Sequence, residues 1–301
     1  MSDHLTSADP ELGRPVVLPP GRGTAMKSFW RRPQLLVPAC VVLVFCVMAA
    51  FPGLFAGWFG HPDPRVCDLS RSGNPPTSGH PFGFDIQGCD LYSNVIHGAR
   101  ASISIGLLAT VATIVVAVVL GSMAGYFRGV IDGIISRLMD IFFGFPWLVG
   151  MIVLLQMTNR HTVLTVAMVL AFFSWPGLTR VMRASALGVT SLDYVTAARS
   201  IGAGPVRILV RHVGVNAVGP VVVLAGLNVG AIITAEAALT FLGVGLRAPT
   251  ISWGVQLNLA QQYFTTDLHL LLFPALFLSA AVLSFVLLGD ALRDALDARL
   301  R

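Results

Sequence analysis

Ser191-Leu192-Asp193-Tyr194-Val195-Thr196-Ala197-Ala198-Arg199-Ser200-Ile201-Gly202-Ala203-Gly204-Pro205-Val206-Arg207-Ile208-Leu209-Val210-Arg211-His212 lies between two apolar segments and reads as two short helices set at an angle. Thr190 and Asp193 have the spacing of a capping box, in which side chains satisfy the free backbone N–H groups of a helix start. Tyr194, Ala197, Ala198 and Ile201 then fall at i, i+3, i+4 and i+7 and predict one small-residue apolar face. Gly202 stands where a helix often stops in a left-handed residue, and Pro205 suits the first turn of the next helix, where its missing N–H is no loss. In that second helix Val206, Leu209, Val210 and Val213 are expected to share a face, with Arg207 and Arg211 pointing elsewhere. Such a pair calls for a partner, and the alternative is a loop helix lying on lipid headgroups.

The chain around it is built for a membrane. With 55% hydrophobic and 12% charged residues it is no water-soluble globule but a polytopic membrane protein. Residues 1–34 are polar at first, Pro- and Gly-rich and without periodicity, and are read as a disordered tail. Gly21-Arg22-Gly23-Thr24-Ala25-Met26-Lys27-Ser28 falls short of a phosphate loop, because Met26 replaces a needed glycine and no strand precedes it. Arg31-Arg32 precede an apolar run too long for an export signal, so that run is taken as the first span. Apolar segments at about 35–57, 101–125, 138–157, 163–182, 217–240 and 268–289 predict six transmembrane helices in residues 35–301, each near the ~20 residues a span requires.

Charge gives the orientation. With the N-terminus cytoplasmic, fifteen Lys and Arg residues fall inside and five outside: Arg65, Arg71, Arg100, Arg160 and Arg247. Both termini and the 183–216 loop are then cytoplasmic, and residues 58–100 form a long outer loop. Cys67 and Cys89 share that loop on the oxidising side. A disulfide between them is predicted, closing about 22 residues and adding about 3 kcal/mol in the chain-entropy model. Cys40 and Cys46 lie in the first span as small apolar residues, and none of the four cysteines has metal-type spacing.

The 191–216 run resembles the EAA loop of the membrane subunits of bacterial ATP-driven importers, whose first helix docks in a cleft of a separate ATPase. Ala197, Ala198, Gly202, Arg211, His212 and Asn216 match the peptide-importer form, with Val213 for Ile; Thr196 stands where that family has Glu, and Gly214-Val215 where Leu-Pro is usual. In the outer loop Gly83, Asp85, Gly88, Asp90, Ser93, Gly98 and Arg100 match a permease signature, with Phe84 for Thr and Cys89 for Arg. Asp85 and Asp90 lack the spacing of a calcium loop and are read as turn formers. Glu236-Ala237-Ala238-Leu239-Thr240-Phe241-Leu242-Gly243-Val244-Gly245-Leu246, then Ser252-Trp253-Gly254, resembles the same permeases most specifically. It is read as a re-entrant or surface-lying hairpin with sharp turns at Gly243 and Gly245 and Trp253 anchored at the interface. The matches run over about 80–255.

The resemblance implies an all-α type I permease of a dipeptide, oligopeptide or nickel ABC importer, with a cytoplasmic coupling helix. It implies a homologous permease as heterodimer partner, two ATPase subunits holding ATP and Mg, an extracytoplasmic solute-binding protein, and a place in the bacterial inner membrane. Asp193, Tyr194, Ala197, Ala198, Arg199, Gly202 and Arg207 are the expected ATPase contacts, and no cofactor or metal is expected on this chain. Glu236, an acid near the outer end of the fifth span, and Phe241 are candidate pathway or gate residues, with orientation of the outer loop as the rival role for Glu236. Pro146 and Pro176 are expected to kink the third and fourth spans. Asp140, one turn from Arg137, reads as an interfacial anchor, and Asp290, Arg293, Asp294, Asp297, Arg299 and Arg301 as a charged terminal cap. An intramembrane hydrolase would need a nucleophile and base together at membrane depth, whereas the deep acids are far apart. A secondary transporter would show internal repeats, and none is convincing. The solute, among dipeptides, longer peptides, nickel complexes and haem, is not fixed by these motifs.

Overall fold

The computed structural model describes residues 33–158 and 160–297, with side chains from 35 to 295. The tail expected over 1–34 lies outside the described residues except for its last two, which already belong to the first helix. Arg299 and Arg301 lie outside them as well. The architecture is all-α. Helix α1 (Pro33–Ala50) is followed after Phe51 by α2 (Pro52–Ala56), where proline fills the first turn. Helix α3 (Leu91–Phe127) has 37 residues, about 55 Å at 1.5 Å per residue, and so projects well beyond a ~30 Å hydrocarbon layer. It begins ten residues before the expected span because Asp90 caps it, its carboxylate accepting from Ser93 N at 3.0 Å.

The third expected span, 138–157, is the main departure. It is a pair, α4 (Gly129–Gly144) and α5 (Trp147–Met157), bent by 90°. Pro146 cannot continue α4 and holds Phe145 extended at ψ 136°, so the kink becomes a break. Pro176 does not interrupt α6 (Val163–Thr190), which runs 28 residues. That helix extends past the expected end at 182, so the coupling loop is shorter than the 183–216 read from sequence. Then come α7 (Asp193–Ser200), α8 (Pro205–Ile208), a π-helical turn Leu209–Gly214, α9 (Val215–Ala217), α10 (Gly219–Phe241), α11 (Trp253–Ala260) and α12 (His269–Asp297).

Four of these, α3, α6, α10 and α12, are long and apolar enough to cross a membrane; the bent pair would be a fifth, and Leu35–Ala50 is shorter. Six spans are therefore not all confirmed as single full-length helices among the described residues. Helices α3 and α6 form the central seam. Along it Gly121 and Gly125, four apart, bring backbone to backbone: a Cβ on Gly121 would meet Met182 Cβ at 2.6 Å, and one on Gly125 would meet Ala186 Cβ at 2.6 Å.

The helices alternate in direction, so the bundle has a loop end, carrying the segment from Gly57 to Asp90 and the turn after α10, and an elbow end, carrying residues 191–218. At the loop end Phe45, Tyr92, Trp253 and Leu270 are buried together, with Phe82 stacked on Phe273 at a centroid distance of 4.0 Å. At the elbow end Met182, Ala186, Val195, Ala198, Ile208 and Val213 form a separate core.

Candidate functional site: the elbow and the loop-end hairpin

Helix α7 does not begin with the expected capping box. Thr190 is still the last residue of α6; its hydroxyl donates to Leu187 O at 2.8 Å and accepts from Arg128 Nη2 at 3.3 Å. Leu192 is the N-cap residue and offers no side-chain bond. The C-terminal end is as expected: Gly202 has φ +83°, Ala203 N donates to Ala198 O at 3.1 Å and Gly202 N to Arg199 O at 3.0 Å. Pro205 opens α8, also as expected, in the first turn where no N–H is needed.

The predicted stripe splits in two. Ala198 turns inward with Val195, both buried against α3 and α6, because burying Val195 removes more apolar surface from water than burying Ala197 would. Tyr194, Ala197 and Ile201 face outward, Ile201 at 86% exposure. In the second helix the shared face is lost as well: Val206 and Val210 are exposed while Ile208 and Val213 are buried. The π-turn explains this. It adds one residue to the period, so the buried series runs Ile208, Val213, Ala217, Val221 with a first step of five. Asp193, Thr196 and Arg207 are exposed, while the Arg199 guanidinium lies 5.1 Å from the centroid of the Tyr126 ring on its own chain.

Two ion pairs that sequence spacing did not reveal brace α4 against α6. Arg183 Nε and Nη2 both bond the Asp132 carboxylate, the second at 2.7 Å. Asp140 pairs with Arg180 at 3.4 Å rather than with Arg137. Partners separated by 51 and 40 residues leave no local signal.

At the loop end Glu236 is wholly buried, without a basic partner among the described residues. Thr240 donates to its Oε1 at 3.0 Å and Ser252 at 3.5 Å, the Ser102 hydroxyl lies close by, and Oε2 has no hydrogen-bond partner among the described residues. Each hydroxyl in turn accepts a backbone N–H from the turn after α10: Leu246 N to Thr240, Trp253 N to Ser102 and Val255 N to Ser252, at 3.1, 3.3 and 3.1 Å. The carboxylate thus holds the hairpin at Thr240 and Ser252, and Ser102 on α3 holds it at Trp253. Phe241, one turn on, is about a third exposed. Gly243 has φ +78°, whereas Gly245 is required by close approach to Thr240. Trp253 is not an interfacial anchor: it is fully buried, its Nε1 donating to Val95 O at 2.9 Å.

The 57–90 segment is tied in the same manner. Cys67 and Cys89 are joined in a disulfide. Asp85 Oδ1 accepts from Gln87 N and Cys89 N, both at 2.8 Å, and Oδ2 accepts from Asn94 Nδ2 at 3.2 Å. Burial pushes the Asp85 carboxyl above the usual carboxylate range; the two amide bonds oppose this and the nearby Asp90 adds to it. Asp90, almost fully buried, pairs with His80 while capping α3. No group of three His, Cys, Asp or Glu among the described residues is placed to hold a metal ion.

An apolar bundle with a short helical elbow at one end is the form of a transport permease, and known proteins agree. A family model described as binding-protein-dependent transport system inner membrane component matches residues 117–301, and the chain belongs to that family, the transmembrane subunits of ATP-binding-cassette importers. More particularly, the chain is 32% identical over 290 residues to the glutathione transport system permease protein GsiD of Pectobacterium atrosepticum, covering 95% of each chain. It is 34% identical over 288 residues to the proteins of the same description from Escherichia coli O6:K15:H31 and Shigella boydii serotype 4, again over 95% of each. The chain is a multi-pass inner-membrane permease of the peptide and glutathione importer type.

Proposed function

We propose that this permease pairs with a homologous subunit to form a pathway for peptide-type solutes, glutathione among them, delivered by a binding protein at the loop end. The elbow end and both termini face the cytoplasm, as the distribution of Arg and Lys favours. There two ATPase subunits, holding ATP and Mg, engage the outward side of α7 through Tyr194, Ala197 and Ile201, with Asp193 and Arg207 at its edge. Ala198 and Gly202 act from behind, one seating the helix and the other ending it. The observation that carries this reading is that α7 buries Val195 and Ala198 yet leaves Ile201 and Tyr194 uncovered on a loop that belongs in water. Glu236 acts on the pathway by holding the hairpin rather than by touching solute, with Phe241 at its exposed edge. Movement of α7 reaches the spans through the elbow core and the braced α4–α6 pair.

The test is ATP-driven uptake of radiolabelled glutathione and of a dipeptide into proteoliposomes holding the complete importer. Ile201→Asp is expected to abolish co-purification of the ATPase and uptake while thermal unfolding stays unchanged. Normal uptake with the aspartate in place would overturn the assignment of this face.

A further inference from the structure

Beside the hairpin, the loop end opens into a basin of about 640 Å³. Its floor is one face of α3, His97, Arg100, Ala101 and Ser104, at helical spacing. One wall is the segment carrying Asp63 and Arg65, held by the Cys67–Cys89 bond two residues on. The opposite wall, Pro249 to Ile251, is fixed by Ser252 and its bond to Glu236. The basin is therefore built from segments that the fold pins individually.

Its charge is unbalanced. Arg65 and Arg100 have no carboxylate within 4.0 Å and no side-chain hydrogen bond among the described residues. The single acid in the lining, Asp63, uses Oδ1 to accept from the Arg65 backbone N–H at 3.0 Å. His97 donates Nδ1–H to Ser93 O at 2.9 Å, which leaves its Nε2 edge without a partner. Two guanidinium groups facing one concavity repel each other until an anion enters. A guanidinium also matches a carboxylate in a two-bond fork, which gives the basin a geometric preference for that group.

We propose that Arg65, His97 and Arg100 form a carboxylate subsite that receives the free carboxyl group of the solute as it leaves the binding protein. This rests on the reading of the chain as a peptide importer, since every unmodified peptide carries such a group. A phospholipid phosphate or an acidic side chain of the binding protein would satisfy the same chemistry, and the experiment separates the three.

The complete importer is reconstituted with Cys40 and Cys46 replaced by alanine and S104C introduced, and the rate of labelling by an uncharged methanethiosulfonate is measured. Glycylglycine is expected to slow labelling at least fivefold and glycylglycinamide to leave it unchanged. R65Q and R100Q, both at exposed positions, are each expected to remove the protection. Equal protection by both peptides, protection that survives both substitutions, or none at all overturns the subsite. Slowing that follows the phosphatidylglycerol content of the vesicle, or that the binding protein causes without peptide, assigns the basin to lipid or to protein and overturns it equally. Uptake of glycylglycine and glutathione is read in parallel: if neither enters wild-type vesicles, the importer reading for peptides fails while the labelling result still decides the subsite.

Discussion

Helices α7 and α10 end in the same hydrogen-bond pattern. Ala203 N bonds Ala198 O and Gly202 N bonds Arg199 O at the elbow; Val244 N bonds Leu239 O and Gly243 N bonds Thr240 O at the loop end. Beyond the two glycines the chain behaves differently. After Gly243 it folds back under Glu236, Ser102 and Ser252 and buries Trp253 completely. After Gly202 it stays at the surface, with Val206 and Val210 exposed through α8 and the π-turn. The hairpin after Gly243 buries its tryptophan and bonds Glu236 within its own chain, whereas the segment after Gly202 leaves Ile201 behind it, and Val206 and Val210 ahead of it, at the surface. Identical local geometry thus carries no information about whether the chain that follows is buried or left at the surface.

The sharpest way to break this contrast is at the best-buried side chain of the loop end. Trp253→Ala should lower stability by about 3–5 kcal/mol, read as thermal unfolding of the purified importer, since it empties the loop-end core and removes the indole's bond to Val95 O. Replacing Cys67 and Cys89 together by serine should cost about 3 kcal/mol through the freed 22-residue loop, measured by denaturant titration, with ATPase binding at the elbow intact. Gly202→Ala places a Cβ in a left-handed residue and should cost about 1–2 kcal/mol in the same titration, while nothing crowds the new methyl group. Ile201→Asp should move stability by no more than about 0.5 kcal/mol. If it destabilised the chain as strongly as Trp253→Ala, the elbow would be a finished core after all.

The smallest expected effect is a dependence on pH. Because burial raises the Asp85 carboxyl in the folded chain, its contribution to stability is full below the ordinary carboxylate value of about 4 and is lost as pH rises through the raised value. Melting curves of wild type and Asp85→Asn between pH 4 and pH 7 should show the wild type gaining on the variant toward acid. A constant difference across that range would dismiss it.

Much of the fold was legible because it depends on neighbours in sequence. Gly202, Pro205 and Pro146 act within one turn of themselves, and apolar length alone located the long helices. The parts that were not legible depend on packing. Whether Ala197 or Ala198 turns inward is decided by α3 and α6, and the π-turn that moves Val206 and Val210 to the surface comes from seating Ile208 and Val213 together. Trp253 reads as an interfacial residue until Val95 O, far back in the sequence, is seen to take its N–H. The Asp132–Arg183 brace was likewise hidden by its separation. Glu236 was singled out for its cost in an apolar span, and the hydroxyls of Thr240 and Ser252 that meet it became visible only in three dimensions.

The glycine seam between α3 and α6 has a mechanical consequence. Where main chains touch through Gly121 and Gly125, there is no long side chain whose rotation could take up a displacement. In the proposed coupling role the two helices tilt as one beam, a push received at Val195 travels to the far mouth with little loss, and a methyl group at either glycine acts as a wedge that loosens the lever.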